Sequence, residues 1–334
     1  MSQVSASKAI KTRILIISDT HGSKPKPKIS DVSTTEDELS QDDITRVPTG
    51  WREPLPEADV VLHCGDLTKR TSILEFENTL SMLRSLRAPL KLAIAGNHDM
   101  ALDADYWINE IGGPKDTPRK VKEIIQEAQT DGVQYLTEGV YEFTLHNGAR
   151  LRIYASPWTP SYGGWAFQYD YGHDFNIPTG IDVAMTHGPP QGICDFAGMT
   201  GTHAGCPHLL AAVTKAKPKI HCFGHIHEAW GTHHVTWDGD AIDENQSRVV
   251  SLKGLRPNRV TQNEETAKMT RVKLMEMSQQ RAAHLDLTRG DNRLMPGEQT
   301  LFVNAAIMDM RYRPIQLPWL IDVDLSRAEE PLQA

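Results

Sequence analysis

Asp19 and His21, Asp66, Asn97 and His98, His187, and His225 and His227 are the residues in this chain whose types and spacing suit a shared chemical task. They occur as Asp-Thr-His, Gly-Asp, Gly-Asn-His-Asp, His-Gly and Gly-His-Ile-His, in that order along 334 residues. Oxygen and imidazole donors of this kind hold divalent cations. Any one of these pieces alone marks a turn, a helix cap or a surface residue more often than a site. The ordered set carries more weight, because each piece falls just past a predicted strand. In α/β sheets the loops beyond the carboxyl ends of strands converge on one crevice. Glycines at 65, 96, 188 and 224 flank the same positions, where a chain carrying ligands must turn tightly.

The elements that would position these residues follow from hydrophobic pattern. Residues 14–17 are a short continuous apolar run, the signature of a buried strand, and 60–63 and 90–95 read as a second and a third strand. Ile73, Phe76, Leu80 and Leu83 recur at helical spacing between the second and third runs. Alternation at Tyr141, Phe143 and Leu145 and again at Leu151 and Ile153, about Asn147-Gly148, predicts a β-hairpin. Further strands are expected at 181–185, 220–223, 302–304 and 320–323, and a helix over 268–287. Strand, loop, helix, strand is an α/β rhythm.

Two polar stretches interrupt it, at 23–56 and 237–297. Such segments bury too little to offset the entropy of ordering them, so both read as insertions. The core is then expected at about 13–22, 58–235 and 300–324 of one domain spanning 1–334.

Composition narrows the class. The net charge of −8 argues against an extended grip on nucleic acid, which needs a basic surface. A small phosphorylated substrate stays open, because bound cations supply positive charge locally. Cys64, Cys194, Cys206 and Cys222 lie far apart and form no CxxC pair, which fits free thiols in a reducing compartment. No apolar run approaches the ~20 residues of a spanning helix, and no apolar leader segment opens the chain. The expectation is a cytoplasmic chain without a membrane partner, the nucleus remaining open.

On these motifs the chain resembles the calcineurin-like metallophosphoesterase superfamily. The resemblance is carried by Ser-Asp19-Thr-His21, Gly-Asp66, Gly-Asn97-His98-Asp99, Thr-His187-Gly-Pro-Pro and Gly-His225-Ile-His227. Residues 62–68, 187–192, 205–210 and 218–228 are similar to one branch, the small metallophosphoesterase-domain proteins of animals and fungi, which are akin to class III cyclic nucleotide phosphodiesterases. The resemblance implies a four-layer α/β/β/α sandwich of two mixed sheets, the metallo-dependent phosphatase fold.

It also implies a ligand assignment: Asp19, His21 and His227 for one divalent metal ion, Asn97, His187 and His225 for a second, and Asp66 bridging both. Mn²⁺ is the expected metal, with Fe, Zn and Mg open. Two cations against two carboxylates leave a formal excess of two positive charges, and a bridging hydroxide leaves one, which a phosphodiester monoanion would balance. The expected reaction is phosphodiester hydrolysis, with a cyclic nucleotide or similar small diester as substrate. A metal-bridging hydroxide attacks in line, and His98 donates a proton to the leaving oxygen.

His63 is either an orienting neighbour of the ligands or a satisfied core histidine. Asp99 either orients His98 or caps the segment that follows. Trp158, Tyr162, Trp165 and Phe167 either wall the pocket or pack over the core. A Ser/Thr protein phosphatase would carry Asp, Arg and Gly where this chain has Lys69, Arg70 and Thr71. A phosphomonoesterase, a nuclease and a low-turnover metal-binding scaffold are the remaining alternatives.

Overall fold

Ile14, Leu15, Ile16 and Ile17 are all buried, although successive side chains of a strand point to opposite faces. An unbroken apolar run is what a strand covered on both faces needs, and this one lies inside a stack of layers. The structure is a computed structural model and describes residues 9–27, 51–251, 272–273, 276–277 and 279–329.

Two sheets make the centre. The first has six strands in the order Ala283–Asp286, Trp319–Leu325, Ile10–Ile17, Val60–His63, Leu90–Ala93, Val133–Tyr135. The second has eight, among them Gly139–Thr144, Arg150–Ser156, Val183–Thr186, Ile220–Phe223, Gln299–Asn304 and Gly231–Asp238. Both mix parallel and antiparallel pairs. Ile14, Ile16, Val60, Leu62 and Leu92 of the first sheet cluster with Leu151, Ile153, Val183, Met185, Ile220 and Val303 of the second. The alternate residues Leu15, Ile17 and Val61 instead meet Phe76, Leu80, Val121 and Ile125, from helices Ile73–Ser85 and Thr117–Gln129. On the far side Tyr154, Ala184, Phe223 and Phe302 pack against Leu209 and Val213 of helix Pro207–Ala216. Helix, sheet, sheet, helix is the expected four-layer α/β/β/α sandwich.

Register places the strand ends side by side. Ile17 pairs with His63 and His63 with Ala93 in parallel strands, so the three loops that follow start at one level. In the second sheet Ser156 pairs with Thr186, and Phe223 with Asn304, to the same effect. A parallel bridge between Ser18 and Ala306 ties the two sheets together at this edge.

The expected strands at 60–63 and 220–223 appear as Val60–His63 and Ile220–Phe223, and the hairpin as Gly139–Thr144 with Arg150–Ser156. The helix begins at Ile73 because Ser72 and Glu75 form a capping box.

The helix expected over 268–287 is corrected. Val272, Lys273, Glu276 and Met277 are helical, but Ala283–Asp286 is a strand running parallel to Trp319–Leu325. Ala282 and Ala283 are buried there, and pairing along the sheet edge outweighs helical propensity. Helices Ala104–Asn109 and Thr117–Gln129 were not anticipated. The expected helix residues 268–271, 274–275 and 278 and most of the first polar stretch, 28–50, lie outside the described residues. Where that stretch rejoins the core, Trp51 is fully buried on the helix side and Lys26 bridges to Arg52. No helix among the described residues is long and apolar enough to cross a membrane.

Leu62 is fully buried between the sheets, so its truncation leaves a cavity that rigid strands cannot close. Leu62→Ala is expected to lower unfolding free energy by about 2–5 kcal/mol, measured by urea denaturation.

Candidate metal centre

Four residues of the expected ligand set adopt left-handed backbone conformations that side chains with a Cβ avoid: Asp19 (φ 54°), His21 (φ 47°), Asp66 (φ 54°) and His225 (φ 66°). Strain of this kind, ~1–3 kcal/mol per residue, persists only where the surroundings over-determine it. Here the loops are zippered to one another. Asp19 N–H donates to Gly65 O at 3.0 Å, His21 N–H to Asp66 O at 3.0 Å, and Gly22 N–H to Leu67 O at 2.8 Å. Across the sheets, His225 N–H donates to both Asp19 carboxylate oxygens, at 3.1 and 3.0 Å, and Gly224 N–H to His187 O at 3.0 Å. His98 N–H donates to Asp66 Oδ1 at 2.9 Å.

The imidazoles are held through their Nδ1 atoms by backbone carbonyls. His21 Nδ1 lies 2.8 Å from Thr68 O, His187 Nδ1 2.9 Å from Cys64 O, and His227 Nδ1 3.1 Å from Asp309 O. A carbonyl only accepts, so each Nδ1 carries a proton, and Nε2, the atom that bears the lone pair when a ring is neutral, is turned into the site.

Those lone pairs converge. His21 Nε2 and His227 Nε2 are 3.3 Å apart, with Asp19 Oδ1 3.3 Å from His227 Nε2 and Asp66 Oδ2 3.6 Å from His21 Nε2. One ligand atom from each of Asp19, His21, Asp66 and His227 fits within 4.8 Å. On the other side of Asp66, Oδ1 is 3.4 Å from His187 Nε2, which also meets Asn97 Oδ1 at 2.9 Å. The His225 ring lies 5.0 Å from the His187 ring, between centroids. Two clusters of electron-pair donors therefore face the two oxygens of one carboxylate. Such an arrangement fits a pair of cations.

Electrostatics agree with that fit. Burial drives His21 down to about 4 and His225 to about 3, so both rings are neutral, with free lone pairs, at pH 7. Burial alone would raise Asp19 and Asp66, but the surrounding histidines, His227 foremost for Asp19 and His187 for Asp66, hold both below the usual carboxylate range. His227 is also pulled down by burial, yet its contact with Asp19 leaves it above the usual value.

The remaining sequence candidates sort by geometry. The His98 ring is anchored by Nδ1 to Lys69 O at 2.9 Å, and Trp165 packs on it with ring centroids 4.2 Å apart. Asp99 stands at the N-cap position of the short helical turn Met100–Leu102, but its side chain makes no capping hydrogen bond there. Its buried carboxylate accepts from Gly96 N–H, Leu67 N–H, Thr68 N–H and the Thr68 hydroxyl, tying two site loops together. Burial and the Asp66 charge push it up to about 7 against those donors. His63 Nε2 lies 2.8 Å from the hydroxyl of Thr20, between Asp19 and His21, while its Nδ1 is buried without a partner. Trp158 stacks on His173, Phe167 packs against Trp158, and Tyr162 is exposed, so Trp165 alone of the four aromatics reaches the site.

Two residues that sequence reasoning missed complete the mouth. Tyr312 places its ring 4.9 Å from His21, 5.4 Å from His227 and 6.1 Å from His98. The Lys69 ammonium sits 3.8 Å from the Tyr312 ring centroid. No motif spacing announces either; the one hint was that Lys69 stands where a protein phosphatase has an acid.

Gly224 and Gly96 are needed for space. A Cβ at Gly224 would lie 1.9 Å from Asp19 Oδ2 and 2.2 Å from Ser18 Oγ, and one at Gly96 2.3 Å from Asp66 Oδ1. Gly224→Ala is therefore expected to displace Asp19 and weaken Mn²⁺ binding by about tenfold or more while leaving far-UV circular dichroism intact. Equilibrium dialysis with metal analysis reads this out, and unchanged metal content would count against Asp19 as a ligand.

Residues 12–229 match the family model described as calcineurin-like phosphoesterase. Metallophosphoesterase domain-containing protein 1 of Homo sapiens is 34% identical over 203 residues, spanning 58% of this chain and 60% of that protein's length. A protein of Emericella nidulans named probable rhamnogalacturonate lyase C is 30% identical over 246 residues, 71% of this chain but 19% of that protein. Among solved structures, the purple acid phosphatase PPD1 of yellow lupin aligns with a TM-score of 0.39 at 13% identity, over 98% of this chain and 58% of that one. With the family model covering well over half of its length, the chain belongs to the calcineurin-like phosphoesterase family.

Proposed function

We propose that the protein is a metal-dependent phosphodiesterase acting on a cyclic nucleotide or a similar small phosphodiester. The observation that carries this reading is the sharing of Asp66 between two clusters of oxygen and imidazole donors, one from Asp19, His21 and His227 and one from Asn97, His187 and His225. Two divalent cations held there, Mn²⁺ foremost, would lower the pKa of a shared water toward ~7 and neutralise charge on the phosphoryl group.

The chain's own residues do the rest. Asp66 and Asp19, both ionised, fix the spacing of the two clusters. The zippered loops keep the donors from relaxing as the substrate changes charge, so stabilisation is organised in advance. His98 is the proton donor to the leaving oxygen. With Nδ1 bound to Lys69 O, the proton it delivers is the one on Nε2, and the Trp165 ring packed against the imidazole holds it in that orientation. The new bond joins the attacking oxygen to phosphorus, and the bond that breaks releases the leaving oxygen with the His98 proton.

His98 lies outside both donor clusters, so its loss should separate chemistry from metal binding. His98→Ala is expected to retain bound Mn²⁺ while losing about 10²–10⁴-fold in kcat on esters with poor leaving groups, and less on p-nitrophenyl esters. Full activity of this variant on an alkyl phosphodiester would remove His98 from the mechanism. The function itself is tested with Mn²⁺-loaded protein on bis-p-nitrophenyl phosphate and on 2′,3′- and 3′,5′-cyclic nucleotides. Diester turnover supports the reading; metal-loaded protein inert toward every diester overturns it.

A further inference from the structure

The rim of the centre carries a charge that no metal-ligand motif includes. Lys69 follows Asp66 by three positions, and its carbonyl is the one that anchors the His98 ring. Its backbone is thereby fixed on the proton-donor side of the cleft. From there its ammonium reaches over the Tyr312 ring. The Tyr312 ring in turn stands edge-on to His21, His98 and His227, so it borders both a donor cluster and the proton donor.

Tyr312 is held in this place by a built turn. Its backbone is left-handed, with φ 56°. Asp309 Oδ1 accepts from Arg311 N–H and Arg313 N–H, both at 2.9 Å, and Asp309 O accepts from Tyr312 N–H at 2.9 Å. The same carbonyl faces His227 Nδ1 at 3.1 Å. One turn thus sets both a metal-facing imidazole and the aromatic ring beneath the lysine.

The geometry points to Lys69 and Tyr312 as a specificity-determining pair that grips the additional negative charge of a phosphate monoester dianion, and so to monoesterase activity at the same centre. This rests on the hydrolase reading above. Two cations held by Asp19, Asp66 and the neighbouring donors would, with a hydroxide, carry a formal charge that balances a monoanion. Lys69 adds one further positive charge at the mouth, which suits a phosphate monoester carrying about −1.5 to −2 at pH 7. A phenol donor and an ammonium together offer hydrogen bonds to the oxygen that a diester would have esterified. The ring face keeps the ammonium from folding away, because the cation is attracted to it.

The test uses the Mn²⁺-loaded protein and two readouts. The first is kcat/KM for p-nitrophenyl phosphate and for bis-p-nitrophenyl phosphate in wild type, Lys69→Met, Lys69→Arg and Tyr312→Phe. Wild type is expected to turn over both. Lys69→Met should lower the monoester-to-diester ratio by about tenfold, chiefly through KM, and Lys69→Arg should restore most of it. Tyr312→Phe should lower the same ratio by less. The second readout is calorimetric binding of inorganic phosphate, which should weaken about tenfold in Lys69→Met. Equal losses on both esters, unchanged phosphate affinity, or a wild type that cleaves the diester and not the monoester would each overturn the assignment. If wild type cleaves neither ester, the hydrolase reading fails, and the phosphate arm still decides whether Lys69 grips the dianion.

Discussion

Electron pairs facing one another across a few ångströms are the constraint on which this structure turns. His21, His187 and His227 each donate an Nδ1 proton to a backbone carbonyl, which turns their Nε2 atoms toward the Asp19, Asp66 and Asn97 oxygens. No rearrangement of protons among neutral rings satisfies so many acceptors at once. A buried cluster of this sort is unfavourable by itself and becomes favourable when positive charge enters it. Folding therefore has to supply the energy that holds the donors together.

That energy comes from the sandwich. Apolar strands buried on both faces set two rigid sheets, and parallel register brings their carboxyl ends level. The left-handed residues at 19, 21, 66 and 225 are then locked by backbone hydrogen bonds between loops rather than by local preference. The two sheets also repeat a small device. Thr20 of the first contacts His63 at 2.8 Å, and Thr186 of the second contacts His221 at 2.9 Å. Each threonine adjoins a donor residue, and each histidine is buried and driven down, to about 4 for His63 and about 3 for His221, with burial the leading cause. Neutral imidazoles in these places brace the ligand loops without adding charge.

The mouth is governed by different forces. Trp165 on His98 and Lys69 over Tyr312 are aromatic contacts made by loops at the edge of the layers. Such contacts are individually modest, ~0.5–2 kcal/mol, and depend on side-chain direction more than on depth of burial. The rim thus rests on side-chain direction, whereas the donor clusters beneath rest on the backbone of the zippered loops.

The sequence by itself determined the donor types, their placement after apolar strands, and the layered α/β class, because these depend on local period and local turns. Val60–His63 and Ile220–Phe223 are legible as short, mainly apolar segments that end just before Gly-Asp66 and Gly-His225. Tertiary structure alone decided that Asp66 stands between two clusters, since its partners His21, His98 and His187 come from separate loops. It alone decided the imidazole tautomers, because the carbonyls of Cys64, Thr68 and Asp309 have no side-chain signature. Strand Ala283–Asp286 was read as the end of a helix because its pairing with Trp319–Leu325 is non-local, and Tyr312 stayed hidden because its ring reaches His21 only once the two sheets are stacked. Periodicity records what a segment can become, and contacts between distant segments choose what it does become.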